Sequence, residues 1–132
     1  MNLGRVLALL IAVIVLTLGG AAMAQAAPPA VQELAGEHPA EYYKRASKLF
    51  QEGKKDDAVF VFYLGQLHFR THLLAKSGGD PTGDPAIFTS LSQVIGKPIN
   101  QYAFGDIPGL ARTIDAVLAY DTANPDKFTS PT

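Results

Sequence analysis

The segment from Ala58 to Lys76 constrains the fold more than any other part of the chain. It continues for 19 residues without a proline or a cluster of turn-forming residues. Its opening, AVFVFYL, has strand propensity, but the length of the segment favours an α-helix. Wound as a helix it is apolar on most sides, which is typical of a central, buried helix. Gly65 costs helix stability and therefore predicts a close crossing with another helix.

A second helix is predicted just before this segment, from His38 to a C-cap glycine at Gly53. Pro39 suits its first turn, and apolar residues recur along it at three-to-four spacing. These are Tyr43, Ala46, Leu49 and Phe50. Only a short turn and a capping aspartate, Asp56 or Asp57, separate it from the central helix. We therefore expect the two helices to pack antiparallel.

A third helix is predicted after the loop SGGDPTGDP at residues 77–85. We expect Asp84 to cap this helix and Gly96 to close it, with Pro98 preventing its continuation. Its predicted buried stripe consists of Ile87, Phe88, Leu91, Val94 and Ile95. The loop has neither the lysine of a phosphate-binding loop nor the ligand spacing of an EF-hand, so its glycines and aspartates are interpreted as turn residues.

A final helix is predicted after a short helical turn over residues 99–104. Asp106 is expected to cap this helix, Pro108 lies in its first turn, and Asn124-Pro125 ends it. Its predicted buried face consists of Leu110, Ile114, Val117 and Leu118. The sequence therefore predicts an all-α fold, a small bundle of about four principal helices.

The amino terminus has the pattern of a cleavable secretory signal peptide, residues 1–26. Arg5 precedes an apolar run from Val6 to Leu16, and two overlapping cleavage sites follow, Ala22-Met23-Ala24 and the favoured Ala24-Gln25-Ala26. A retained membrane anchor is the alternative, but the run is shorter than the roughly 20 apolar residues of a span. We expect a periplasmic or secreted protein without stable membrane association. The predicted boundaries are 1–26 signal peptide, 27–37 linker, 38–124 helical domain and 125–132 flexible tail.

The predicted mature chain has about 106 residues, enough for one compact domain. Its composition narrows the classes of function that this domain can serve. The chain has no cysteine, which excludes a lipoprotein, a disulfide scaffold, a thiol nucleophile and a cysteine-ligated metal. Loss of Arg5 with the signal leaves a net charge near −2. No basic patch is evident, so nucleic acid is not an expected partner.

Tyr63, Gln66 and Arg70 form a polar stripe at i, i+3 and i+7 on the central helix. An unpaired buried charge is very costly, so Arg70 must reach the surface or pair with a carboxylate, Asp106 or Asp115. The structural interpretation is a polar tie between helices. The functional alternative is that these three residues bind an anion or another ligand.

His68 and His72 lie four residues apart on the same helix, so their side chains share one face. That spacing can supply two ligands of a zinc site. The neighbouring sequence contains no convincing third ligand, and His38 could approach only through folding. We therefore interpret His68 and His72 as weak metal candidates that are partnered by backbone or solvent, and we expect no cofactor.

Residues 42–66 resemble one helical hairpin of the tetratricopeptide or Sel1-like type. Residues of the expected kind follow in roughly the family's order: Ala46, Phe50, Gly53, Ala58 and Tyr63. The resemblance covers about a quarter of the mature domain, and no second copy is present. It implies a similar hairpin built into a non-repeat domain and, by analogy with the family, peptide binding.

Catalytic motifs such as Gly-x-Ser-x-Gly and His-Glu-x-x-His are absent from the sequence. We therefore expect a non-enzymatic exported domain that binds a macromolecular partner, most concretely a periplasmic immunity-type protein that masks another protein through loop and helix-end surfaces. One alternative is a small-ligand-binding protein with a pocket beside Arg70. Another is an enzyme with an unrecognised site.

Overall fold

The computed structural model describes residues 25–129, so most of the predicted signal peptide, residues 1–24, lies outside the described residues. The elements in chain order are α1 (Ala30–Glu33), α2 (Pro39–Gln51), α3 (Lys55–Ala75), α4 (Asp84–Leu91), a π-helical turn (Ser92–Gly96), α5 (Lys97–Ala103) and α6 (Ile107–Ala123). The described residues contain helices and no strand, which confirms the predicted all-α fold. Between residues 25 and 129, no helix is both long enough and apolar enough to span a membrane.

Helices α2 and α3 form an antiparallel hairpin that contributes most of the buried apolar side chains. The predicted C-cap between them is confirmed, since Gly53 has a φ of +82° and the Lys54 N–H donates to the Leu49 carbonyl at 2.9 Å. The largest fully buried side chains of the hairpin are Tyr43, Phe60, Phe62, Leu64 and Phe69.

Gly65 lies where the two helices of this hairpin cross most closely, as predicted. A Cβ atom built on Gly65 would collide with the Cβ of Tyr42. The residue thus gives up some helix propensity so that the α2 backbone can approach α3.

The predicted cap of the central helix at Asp56 or Asp57 is wrong. Helix α3 begins at Lys55, and both aspartates lie in its first turn, where their charge favours the positive end of the helix dipole. The Asp56 carboxylate accepts a hydrogen bond from the Tyr102 hydroxyl at 2.7 Å. Asp56 therefore links α3 to α5 instead of capping α3.

The predicted end of the third helix at Gly96 and Pro98 is also wrong, because helical structure continues from Asp84 to Ala103. Proline has no N–H, and in a regular α-helix its ring clashes with the carbonyl four residues earlier. The π-helical turn Ser92–Gly96 includes the residue four before Pro98 and widens the helix there. The chain therefore passes the proline without leaving the helical path.

The buried stripe predicted for this helix is only partly correct. Phe88, Leu91 and Ile95 pack against the core, whereas Val94 is 72% exposed and Ile87 is 43% exposed. The π-helical turn changes the angular spacing of its residues, so Val94, which lies within it, leaves a stripe drawn at regular α-helical spacing.

Helix α6 has the predicted ends, and most of its predicted buried face is correct, since Val117 is buried, Leu110 packs against the core and Ile114 is partly buried. The Asp106 carboxylate accepts from the Gly109 N–H at 3.0 Å, and the helix ends at Ala123, before Asn124-Pro125. The buried residues of α6 are Thr113 and Val117, while the predicted core residue Leu118 is 50% exposed. Helix α6 packs mainly on α3 through a narrow contact, so a second apolar row is left facing solvent.

Segments on both sides of the predicted helical domain also pack on it. Within the predicted linker, Val31 of α1 and Leu34 just after it are buried in the core, and Glu33 pairs with Arg45 of α2 at 2.7 Å. Within the predicted tail, the Phe128 ring lies against the carboxyl end of α3. Both segments therefore contribute to the surroundings of the candidate sites.

Candidate functional site

Tyr63 and Gln66 lie partly buried on α3. The Tyr63 hydroxyl donates to Oδ1 of Asn100 on α5 at 2.6 Å, and burial raises the pKa of Tyr63. This hydrogen bond is a polar tie between helices, the role that the structural interpretation assigned to the stripe.

Arg70, the third member of the stripe, is exposed on α3. Its guanidinium carbon lies 5.9 Å from the centroid of the Phe88 ring, a cation–π contact. Among the described residues no carboxylate lies within ion-pair distance of Arg70. Of the two predicted courses, Arg70 therefore reaches the surface and does not pair with Asp106 or Asp115.

His68 and His72 are both buried on α3, one helical turn apart, but each pairs with a different carboxylate. Nε2 of His72 lies 2.8 Å from Oδ2 of Asp84, and Nε2 of His68 lies 2.8 Å from Oδ1 of Asp121. The two rings therefore belong to separate clusters and do not converge on one point.

Asp84 joins His72 to a second histidine, His38, which precedes α2. Nε2 of His38 lies 3.2 Å from Oδ1 of Asp84, and its Nδ1 accepts the Ala40 N–H at 3.0 Å as a helix cap. Because Nδ1 of neutral His38 is an acceptor, the ring proton sits on Nε2 and is donated to Asp84. The hydrogen bond from His72 lowers the pKa of Asp84, and His38 adds to this effect. The prediction that Asp84 caps α4 is wrong, since its carboxylate contacts the histidines.

Aromatic rings enclose this cluster of His38, His72 and Asp84. The centroid of the Phe128 ring lies 5.1 Å from the centroids of both His38 and His72, and Phe69 packs edge-on against His38 at 5.4 Å. The contact of Phe128 was not predicted from the sequence. Its segment is rich in polar and turn-forming residues, and the aromatic side chain was the only local sign that the segment packs on the domain.

His68 forms the second cluster with Asp121 and Asp126. Its Nδ1 is buried without a hydrogen-bond partner among the described residues, and it lies 3.7 Å from Oδ1 of Asp126. The ring of Tyr42 packs edge-on against His68 at 5.2 Å. Burial, followed by the charge of Asp126, raises the pKa of Tyr42 to about 12.

The turn between α5 and α6 exposes three large apolar side chains within six residues. These are Tyr102, Phe104 and Ile107, which together define the α5–α6 corner. A hydrogen bond to Asp56 orients Tyr102 and raises the pKa of its hydroxyl. A concave cavity of about 610 Å³ adjoins the corner. It is lined by Gln25, Asp56, Val59, Tyr102, Ala103, Gly105, Asp106, Gly109, Leu110, Arg112 and Thr113.

Comparison with protein families, curated proteins and solved structures finds no match to this chain. The resemblance to a tetratricopeptide or Sel1-like hairpin therefore concerns the α2–α3 hairpin alone.

Proposed function

We propose that this chain is an exported, non-enzymatic helical domain that binds a protein partner through the α5–α6 corner. One observation carries the proposal: Tyr102, Phe104 and Ile107 are exposed within six residues of the chain, and Tyr102 also lines a concave surface. Contiguous exposed apolar surface beside polar residues is typical of interaction sites. The corner is also a helix-end surface, the kind of surface that the sequence favoured for binding.

The cavity beside the corner favours a partner of defined chemistry. Its lining includes the apolar side chains of Val59 and Leu110 and two carboxylates, Asp56 and Asp106, against one basic residue, Arg112. Each carboxylate uses one oxygen, Oδ1, in the intramolecular hydrogen bonds described above. The second oxygens remain as acceptors, so the cavity suits an apolar side chain of the partner with a basic residue next to it.

In its most specific form, the proposal is that this chain is an immunity-type protein. Such a domain masks a toxin by covering the toxin's functional surface, which requires a preformed interface and no catalytic group. The small-ligand alternative required a pocket beside Arg70. Arg70 does not line any of the three principal cavities among the described residues. We therefore place binding at the α5–α6 corner.

The test is a capture experiment with the mature protein and extracts of exported proteins from the source organism. Phe104→Asp and Ile107→Asp place charge on the corner, whereas Leu74→Asp is a matched control at a residue that is 78% exposed on α3. A partner should be retained in stoichiometric amount by the wild type and by Leu74→Asp, and lost by both corner variants. Titration calorimetry with the purified partner should reproduce this order.

Two results would contradict the proposal. One is equal retention of every captured protein by the wild type and the corner variants. The other is the absence of any stoichiometric partner in extracts that contain the product of the neighbouring genes. An inhibited enzymatic activity of the captured partner would identify the immunity-type form.

Export is tested separately by the mass of the mature protein. Oε1 of Gln25 accepts a hydrogen bond from the Thr113 hydroxyl at 3.0 Å, and both residues line the cavity. Cleavage after Ala24 keeps this contact, whereas cleavage after Ala26 removes it and enlarges the cavity. An unprocessed amino terminus in the exported fraction would contradict signal cleavage.

A further inference from the structure

We infer that His38, His72 and Asp84 form a binding site for a divalent transition-metal ion, with zinc as the best-suited ion. One ligand atom from each of the three side chains lies within 4.8 Å of the other two. The three residues come from separate parts of the fold: the start of α2, the last turn of α3 and the first residue of α4. This inference is independent of the α5–α6 corner.

The distances within the cluster are close to those of a loaded site. Nε2 of His38 lies 3.2 Å from Asp84, and Nε2 of His72 lies 2.8 Å from the other oxygen of the same carboxylate. Tetrahedral zinc with nitrogen and oxygen ligands at about 2.0–2.1 Å separates neighbouring ligand atoms by roughly 3.3 Å. One ligand atom of each side chain lies within 4.8 Å of the other two, so closing these separations to roughly 3.3 Å would bring the donors to a common ion.

The donor set selects the class of ion. Two imidazoles and one carboxylate suit zinc and similar first-row ions, whereas magnesium and calcium prefer ligand sets made of oxygen alone. Three protein ligands leave a fourth position, which water or a group from another molecule can occupy.

Metal binding requires a proton to move on each imidazole. Coordination through Nε2 leaves the ring proton on Nδ1. Nδ1 of His72 lies 3.5 Å from the Thr129 hydroxyl, which is positioned to accept that proton as an outer-shell partner. Nδ1 of His38 accepts the Ala40 N–H. Nδ1 cannot accept this hydrogen bond once it carries the ring proton, so metal binding would break the capping contact.

The site is preorganised because two of its ligands are held by packing. The His72 side chain is only 4% exposed, and Phe69 and Phe128 pack around the imidazoles. Asp84 is positioned by the start of α4, at the end of the loop that follows α3. A bound ion would therefore replace the hydrogen bonds of Asp84 to His38 and His72 and hold the end of this loop against the α2–α3 hairpin.

The experiment uses untagged mature protein that has been treated with EDTA, since a histidine tag would itself bind zinc. Calorimetric titration with zinc chloride should show one ion per chain, and thermal unfolding should shift to higher temperature with zinc. Cobalt should bind in the same position and give visible absorption bands that report its coordination number.

Asp84→Asn removes the proposed carboxylate ligand with little change in shape, and it should abolish zinc binding and the zinc-dependent thermal shift. Asp121→Asn is the matched control, because Asp121 pairs with a buried histidine of the same helix but lies outside the proposed site. It should bind zinc as the wild type does. If Asp84→Asn does not fold, His38→Gln serves in its place, since the His38 side chain is 30% exposed.

Three outcomes would overturn the inference. The first is no heat of binding and no thermal shift in the wild type at millimolar zinc. The second is wild-type zinc affinity in both Asp84→Asn and His38→Gln. The third is a loss of zinc binding in Asp121→Asn while Asp84→Asn still binds, which would place the ion at His68.

Discussion

The α2–α3 hairpin and the region from α4 to α6 use apolar residues in different ways. In the hairpin, large side chains such as Tyr43 and Phe62 are fully buried. In the α4–α6 region, helix α4 buries no residue completely, and apolar side chains such as Val94 and Phe104 face solvent. Both regions are equally helical, so secondary structure does not explain the difference.

If the α5–α6 corner binds a partner as proposed, this difference separates the residues that stabilise the fold from those that bind. The hydrophobic effect stabilises a fold in proportion to the apolar area that it removes from water, so the hairpin should provide most of the stability. The α4–α6 region covers one side of α3 and leaves its own outer apolar residues available to a partner. Substitutions in the two regions should therefore have separable effects.

The largest expected effect comes from truncating the same residue type in each region. Phe62→Ala should lower the free energy of unfolding by about 3–5 kcal/mol, because it leaves a cavity in the hairpin core. Phe104→Ala should change it by less than about 0.5 kcal/mol, since Phe104 is 59% exposed. Urea unfolding followed by circular dichroism measures both values. Similar losses for the two variants would remove the contrast between the regions.

The next largest effects come from replacing either of two glycines of the hairpin by alanine. Gly65→Ala should cost about 1–3 kcal/mol, although alanine favours helix, because the added methyl group collides with Tyr42. Gly53→Ala should cost about 1–2 kcal/mol for a different reason, since alanine is strained at a φ of +82°. The same unfolding measurement tests them. A more stable Gly65→Ala variant would show that the helices do not cross closely at this residue.

Alkaline pH tests the burial of tyrosine in the hairpin. Burial raises the pKa of Tyr42 from its ordinary value of 10.0 to about 12. The neutral hydroxyl is thus favoured in the folded state, and its contribution to stability is complete below pH 10 and is lost as the pH rises to about 12. Absorbance at the phenolate band should show a late-titrating tyrosine that Tyr42→Phe removes. An unchanged titration curve in Tyr42→Phe would contradict this assignment.

Acidic pH tests the contact between the hairpin and α4 and gives the smallest effect. The hydrogen bond from His72 lowers the pKa of Asp84 below its ordinary 3.8. The resulting stability is present above pH 3.8 and is lost as the pH falls through the lower pKa of the folded state. The difference in unfolding free energy between the wild type and Asp84→Asn should therefore shrink below that pH. The side chain is about one-third exposed, so solvent screening keeps this contribution small. A difference independent of pH would contradict the prediction.

The sequence alone determined those features that depend on neighbouring residues. The apolar segment that became α3, the glycine C-cap at Gly53 and the cap at Asp106 are local patterns, and the structure confirms each of them. Gly65 was also informative, because a glycine inside a long buried helix has few explanations other than close packing. Local hydrogen bonding and side-chain periodicity operate over a few residues, so they can be recognised without a tertiary structure.

Tertiary structure alone decided which apolar residues are covered and which polar residues meet. Val94 and Leu118 match the predicted apolar stripes, yet both are exposed, because the π-helical turn shifts Val94 out of register and the packing of α6 covers only part of its stripe. His38 and Asp84 are 46 residues apart in sequence, and they meet, together with His72, only because α4 begins beside the hairpin. Such contacts depend on how whole helices pack, and no local pattern in the sequence specifies that arrangement.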